Sequence, residues 1–445
     1  MTQLGELYDP EFTNLGPRLG FAFNPASHRN LVVRGGFGLY EDRNPDVLFT
    51  NTHTDPPGFA SYGLCCGSPT SPFAAGQIIF GLGANNSPLS YPINPALAVG
   101  INPVTGGPSG VLVTVWGSQP NMVSPYVYVY SFDVQYQLPG NWVASVGYQG
   151  SAGHHLIRIV DQKFLYQNTT FLSPTSTVPA FSDIYFPQPD TNSNFNALNA
   201  SMNRTFSHGF QFSARYMFSK SLDELSYEGP GAVTNQTYPQ DLKSEYGPSD
   251  FDVRHYATIE GIYALPFFRS RHGALGSLLG GWQITGITTA HTGFPWTVKD
   301  GRAVNTPGGV TLAPTRPAFY CGCVHQNTSN FAFMTPGAMF PGGSKYFNVT
   351  ASGPPDVGRN SFRGPHFFST DASLQKSFAL PTALHLGENA RLEVEANFFN
   401  LFNQTNLLPL GFYSNGTFAD NSSFFGLADG AAAGRVIQLQ AQFSF

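Results

Sequence analysis

At 445 residues the chain is long enough for two or three ordinary soluble domains, yet only 11% of it is charged, less than half the roughly 25% usual for soluble globular domains. With 40 Phe, 20 Tyr and 48 Gly and a net charge of −5, uncharged polar and aromatic residues must cover the surface. That balance suits a closed sheet with lipid on one side and water on the other, and it favours neither nucleic acid nor an anionic membrane surface as partner.

No stretch approaches the roughly 18 consecutive apolar residues of a membrane-spanning helix, so any crossing is made by strands. Met1 to Gly20 has neither the basic start nor the apolar core of a secretory signal. For an exported chain this makes Met1 an internal start or a fragment boundary. Strands are expected near 17–24, 31–42, 126–138, 141–150, 195–206, 209–220, 253–265, 281–298, 367–379, 389–402 and 434–445. Most carry period-two alternation. In 126–138, Tyr128, Tyr130, Phe132 and Val134 oppose Ser131, Asp133, Gln135 and Gln137. In 209–220, Phe210, Phe212, Tyr216 and Phe218 oppose Gln211, Ser213, Arg215 and Ser219. Leu392 and Val394 likewise oppose Glu393 and Glu395. The last segment sets Ile437, Leu439, Ala441, Phe443 and Phe445 against Gln438, Gln440, Gln442 and Ser444. The first set of each is expected to face lipid and the second the interior.

A soluble sandwich also alternates, but here the connections alternate too. Short links at 25–30, 139–140, 207–208, 266–280 and 381–388 are interleaved with long loops at about 43–125, 151–194, 221–252, 299–366 and 403–433. Short turns on one side and long extracellular loops on the other are the habit of outer-membrane barrels. The last strand runs toward the short-turn side and, with roughly 11 strands, so does the first. Bacterial single-chain barrels have even strand counts, so an odd count predicts an open, curved half-barrel whose first and last strands do not pair. The fold class is all-β, an antiparallel transmembrane β-barrel, and 1–445 is expected to be one barrel domain without a plug.

The residues carry a family resemblance. Pro17-Arg18-Leu19-Gly20-Phe21-Ala22 with Val33-Arg34-Gly35-Gly36-Phe37-Gly38 resembles a strand pair of TonB-dependent outer-membrane receptors of the Oar-like type, common in acidobacteria. Ser249-Asp250-Phe251-Asp252-Val253-Arg254-His255, Leu265-Pro266-Phe267, Gly280-Gly281-Trp282-Gln283-Ile284, Thr292-Gly293-Phe294-Pro295 and Asn397-Phe398-Phe399-Asn400-Leu401-Phe402-Asn403 follow in the same order. The resemblance covers most strands and little of the long loops. It implies the carboxyl-terminal half of a plugged barrel of 22 strands, coupled to TonB through an amino-terminal plug that is not visible in this sequence. It also implies that the terminal Phe443 and Phe445 are the recognition signal for the barrel-insertion machinery, besides forming a good strand end. The cargo would be a large nutrient (oligosaccharide, peptide or metal chelate) delivered to the periplasm. An energy-independent porin or adhesin barrel is the alternative, and a secreted β-rich carbohydrate-binding protein the third.

Candidate chemistry is sparse. Cys65 with Cys66 and Cys321 with Cys323 form two tight pairs in Gly/Pro-rich segments, expected in extracellular loops. Disulfides fit an exported chain, in any of three connectivities. A soft metal site from Cys321, Cys323 and His325 is a weaker reading without a clear fourth ligand. Glu393 and Glu395 share a strand face beside Arg391. A lumen-facing charged ladder explains them better than glycosidase chemistry. Asp250, Asp252, Arg254 and His255 read as ion pairs at a loop-to-strand junction, and His154-His155 as a polar loop element. Tyr126, Tyr128, Trp142, Tyr148, Trp282, Phe294 and Trp296 are expected in a membrane girdle rather than a sugar-stacking surface. Neither a phosphate-binding Gly-rich loop nor a nucleophile elbow occurs. No catalysed reaction, cofactor or metal is expected.

Overall fold

The computed structural model describes residues 14–27, 30–44, 113–119, 121–165, 180–226, 236–268, 273–299, 353–380, 390–408 and 430–444, with shorter pieces between them. Eleven strands form a continuous antiparallel wall in chain order. They are β1 (Arg18–Phe23), β2 (Leu31–Glu41), β3 (Tyr126–Leu138), β4 (Trp142–Asp161), β5 (Phe181–Ser207), β6 (Phe210–Asp223), β7 (His255–Ala264), β8 (Gln283–His291), β9 (Phe367–Ala379), β10 (Arg391–Phe399) and β11 (Val436–Ser444). Among the described residues β1 pairs only with β2 and β11 only with β10, so the sheet is not closed.

Register turns each strand's alternation into two continuous faces, because directly opposed residues point the same way. One row runs Phe23, Val33, Val134, Val146, Ala200, Tyr216, Ala257, Ala290 and Phe368. A second carries Phe210, Tyr263, Ile284, Leu374, Ala396 and Leu439. This is the outer face, and its large apolar side chains stand open: Val146 is 53% exposed, Leu198 47%, Ile259 49% and Leu439 78%. In water such a continuous apolar band would be an aggregation surface; lipid is the solvent that suits it. Two hydroxyls on this face, Thr288 and Thr370, bond each other at 3.0 Å.

The tight turns are set by local chemistry. Gly140-Asn141 and His208-Gly209 each put two consecutive residues at positive φ (79° and 64°, 53° and 79°), the backbone that matches the right-handed twist of a hairpin. The β7–β8 link instead holds a short helix, α2 (Ala274–Leu279), with Leu275 and Leu278 exposed.

Three expected boundaries move. The strand expected at 141–150 runs on to Asp161, and its partner starts at Phe181 rather than 195, so most of the stretch expected as a loop at 151–194 is paired strand. At 20 and 27 residues, β4 and β5 far exceed the roughly 9–11 residues that cross a bilayer. Their outer ends rise beyond it, where no lipid demands alternation. Pro187 and Pro189 pair with Ile159 and Ile157 on a stretch where β5 has no second described neighbour, so their missing N–H breaks no ladder. The strand expected at 281–298 ends at His291. There Gly293 presses on Gly364, and the chain leaves the wall to form a separate two-residue ladder, Pro295–Trp296 against Phe362–Arg363.

Candidate functional site: the inner wall and its outer rim

The inner face mixes hydrogen-bonding side chains with apolar ones such as Ile262 and Ile287. Across β6 to β10 its side chains Gln211, Ser213, Glu260, Asp371, Ser373 and Asn397 line an open recess of about 350 Å³. Farther round, Arg34 stands opposite Asp133, and Ser145 and Ser201 share a 2.8 Å hydrogen bond. Glu393 and Glu395 lie opposite Gln442 and Gln440 on this same face. Carboxylates, amides and hydroxyls thus recur on nine of the eleven strands of this face.

At the long-link end the irregular segments are held by buried ion pairs. Glu245, at the end of the short helix α1 (Leu242–Glu245), is 1% exposed. Its carboxylate takes the Arg316 guanidinium at 2.5 Å and the Tyr238 N–H at 2.8 Å. Arg359 pairs with Asp223 and donates to the Glu245 carbonyl at 2.8 Å and to Ser226 Oγ at 3.1 Å. Arg363 pairs with Asp252, itself 1% exposed, whose other oxygen accepts from the Ser221 N–H at 2.6 Å. Arg158, on the projecting part of β4, grips Asp190 with two donors at 2.7 and 2.8 Å and reaches the Pro239 carbonyl at 2.8 Å. Planar, many-donor guanidinium groups suit this task, since each satisfies a carboxylate and nearby carbonyls together. Lys299 lies beside the same block; burial lowers its ammonium pKa, and Asp250 opposes that shift.

The sequence-derived candidates fall out unevenly. Asp250 and Asp252 do sit in rim ion pairs, with Arg359 at 3.6 Å for the first and Arg363 and Arg254 for the second. His154 and His155 belong to strand β4, not to a loop: they occupy a register shift between Gly153 and Leu156, with His155 at φ 55°. His154 Nδ1 lies 2.9 Å from Asn192 Oδ1, and its ring packs on Tyr126. Trp296 is not in a girdle; it is 1% exposed and packs at a tilt against Phe362 inside the rim block, because the chain has already left the wall at Gly293. Phe443 lies on the outer face opposite Leu392. Phe445, Cys65, Cys66, Cys321 and Cys323 lie outside the described residues. Among the described residues no three His, Cys, Asp or Glu are grouped to hold a metal ion. Arg158, Arg316 and Arg359 went unnoticed in the sequence. Their charged partners are 32, 71 and 136 positions away, and the signal in the sequence is that a charge-poor chain keeps several arginines in its long links.

The outer-membrane β-barrel domain model matches residues 3–438, nearly the whole chain. The chain belongs to that family. It is an outer-membrane protein whose strands cross the bilayer, and the outer face described above is its lipid surface. No curated protein matches the sequence. Among solved structures it is similar to the outer membrane transporter YddB from Escherichia coli, at 9% identity and a TM-score of 0.49 over 96% of this chain and 40% of that one. It is also similar to the siderophore receptor PirA from Acinetobacter baumannii, at 8% identity and a TM-score of 0.44 over 97% and 41%. The pyoverdine receptor FpvA from Pseudomonas aeruginosa gives 10% and 0.43 over 97% and 36%. The chain thus spans well under half the length of these structures.

Proposed function

We propose that the chain forms part of the wall and outer rim of an energy-coupled transporter of the Oar-like, TonB-dependent type, which carries a large nutrient into the periplasm. The supporting observation is the inner wall, where amide, hydroxyl and carboxylate side chains recur from β3 to β11 among smaller apolar patches, topped by loops that buried ion pairs hold in place. A wide hydrogen-bonding surface suits a cargo rich in hydroxyl, amide or carboxylate groups, such as an oligosaccharide, a peptide or a metal chelate, better than an apolar one. The ordered motifs from Pro17 to Asn403 add the family-level reason for energy coupling, with TonB and the barrel-insertion machinery as partners. No residue is assigned a catalytic role.

The test is uptake by cells carrying the intact locus, with fluorescent oligosaccharide, peptide and ferric-chelate probes, before and after a protonophore. Uptake of one class that collapses when the proton gradient is discharged supports the reading. Uptake of small solutes indifferent to the protonophore makes the barrel a porin.

A further inference from the structure

In the half of the outer face nearer the short turns, two cations interrupt the apolar band. Arg204 lies three residues before the end of β5, and Lys376 three before the end of β9. Both stand among aromatic rings, yet they differ in what satisfies them. The Lys376 ammonium donates to the Gly280 carbonyl beyond α2 and lies 4.8 Å from the Phe378 ring centre. Its charge is anchored by the protein. The Arg204 guanidinium lies 5.5 Å from the Trp142 ring and 5.3 Å from that of Phe210. Its ladder neighbours on this face are Trp142 and Phe212. Its Nε is buried with no hydrogen-bond partner, and among the described residues no carboxylate pairs with it.

The buried Nε lies out of a ligand's reach, but Arg204 as a whole is only half-buried, and an ionised guanidinium without a counter-charge costs free energy wherever water is scarce. Among the described residues the protein offers no anion there, but the leaflet does. We propose that Arg204, framed by Trp142 and Phe210, is a binding site for the headgroup phosphate of an anionic phospholipid in the periplasmic leaflet. The planar fork of donors fits phosphate oxygens, and the two rings take the glycerol and upper acyl region. A net-negative lipid is preferred over a zwitterionic one because the latter brings its own ammonium to a site already carrying an uncompensated cation. The inference rests on the lipid-facing register and is independent of what the barrel carries.

The 445-residue chain contains four Trp, and Trp116 and Trp296 lie at the long-link end. In a Trp282→Phe background Trp142 is therefore the reporter at the periplasmic leaflet. Quenching of its fluorescence by brominated phosphatidylglycerol is compared with quenching by brominated phosphatidylcholine, in bilayers where circular dichroism shows the strand signal. A preference for phosphatidylglycerol of threefold or more is expected, falling to near one in Arg204→Gln and unchanged in Lys376→Gln. Arg204→Lys, which keeps the charge, should retain part of it and serves if Arg204→Gln does not fold. Equal quenching by both lipids, or a preference that survives Arg204→Gln, overturns the proposal. So does abolition of the preference by millimolar inorganic phosphate, which would make this a site for the free ion.

Discussion

The wall and the rim block dispose of buried polar groups in opposite ways. In the wall the backbone is satisfied by ladders, and alternation turns one set of side chains to the interior and the other to lipid, so charge is scarce on the outer face. In the block the backbone is irregular, and carboxylates such as Glu245 and Asp252 are almost fully buried against arginines. A ladder fixes strands without help from side chains. Segments that make no ladder need other ties, and arginine forks that reach carboxylate and carbonyl together provide them. A chain with so little charge therefore concentrates it where loops have to be fixed in place.

The sharpest way to break the comparison is to remove one side of a rim ion pair. Arg316→Ala leaves the Glu245 carboxylate, 1% exposed, without its guanidinium, a change that costs about 3–5 kcal/mol when the orphaned charge stays buried. The expected result is rapid amide exchange and protease nicking across 236–252, with the strand signal in circular dichroism unchanged. Continued protection of 236–252 would show that the block is held by something other than this pair.

The wall has its own test, smaller because lipid-facing side chains have room to move. Ile259 and Glu260 are neighbours on β7, the first on the outer face and 49% exposed, the second lining the inner recess. Ile259→Lys should destabilise by about 2–4 kcal/mol and Glu260→Lys by far less. Urea unfolding in lipid vesicles measures both, and equal losses would mean that the faces are assigned wrongly.

A third test acts where wall and block meet. A Cβ on Gly293 would lie 1.9 Å from the Gly364 carbonyl oxygen, and backbone cannot yield as a flexible side chain does. Gly293→Ala should cost about 1–3 kcal/mol as overpacking. The readout is lost protection of the Gly364 amide, which donates to the Phe294 carbonyl at 2.8 Å, together with altered Trp296 fluorescence. An unchanged Trp296 spectrum would show that the block tolerates a shift of the wall.

These contrasts also explain what the sequence revealed. The eleven wall strands were legible because lipid on one side and water on the other impose period two, as in Phe210 to Phe218, and because Gly140-Asn141 and His208-Gly209 mark tight turns. Where β4 and β5 rise beyond the bilayer no lipid imposes alternation: the neighbours Ile159 and Val160 point to opposite faces and are both buried, Ile159 against Leu48, Met122, Trp116 and Tyr185, so the period-two signal lapses and 151–194 reads as a loop. The rim was illegible for a different reason. Arg316 meets Glu245 across 71 positions and Arg363 meets Asp252 across 111, and no local pattern announces such a pair. Trp296 was assigned to a girdle because its ring says nothing about whether the chain has left the wall.

The smallest effect is expected at Asp161, where the projecting end of β4 leaves the ladder. Burial raises its carboxyl pKa above the ordinary value of 3.8, and nearby Asp183 pushes the same way. Hydrogen bonds from the Lys163 and Ile184 N–H groups, both 3.0 Å, and the Lys163 charge oppose the shift without cancelling it. A carboxyl whose pKa is raised on folding holds more protons folded than unfolded. Its contribution is therefore complete below the unfolded value of 3.8 and is lost as pH climbs through the raised folded value. Asp161→Asn keeps an oxygen to accept from both amides and removes the charge. The free energy of opening measured by exchange at the Lys163 and Ile184 amides should thus fall with rising pH in the unmodified chain, from about pH 4 upward. In the variant it should be nearly flat. A flat profile in the unmodified chain would mean that Asp161 is effectively solvated, and an undiminished slope in the variant would show that Asp161 is not the group responsible.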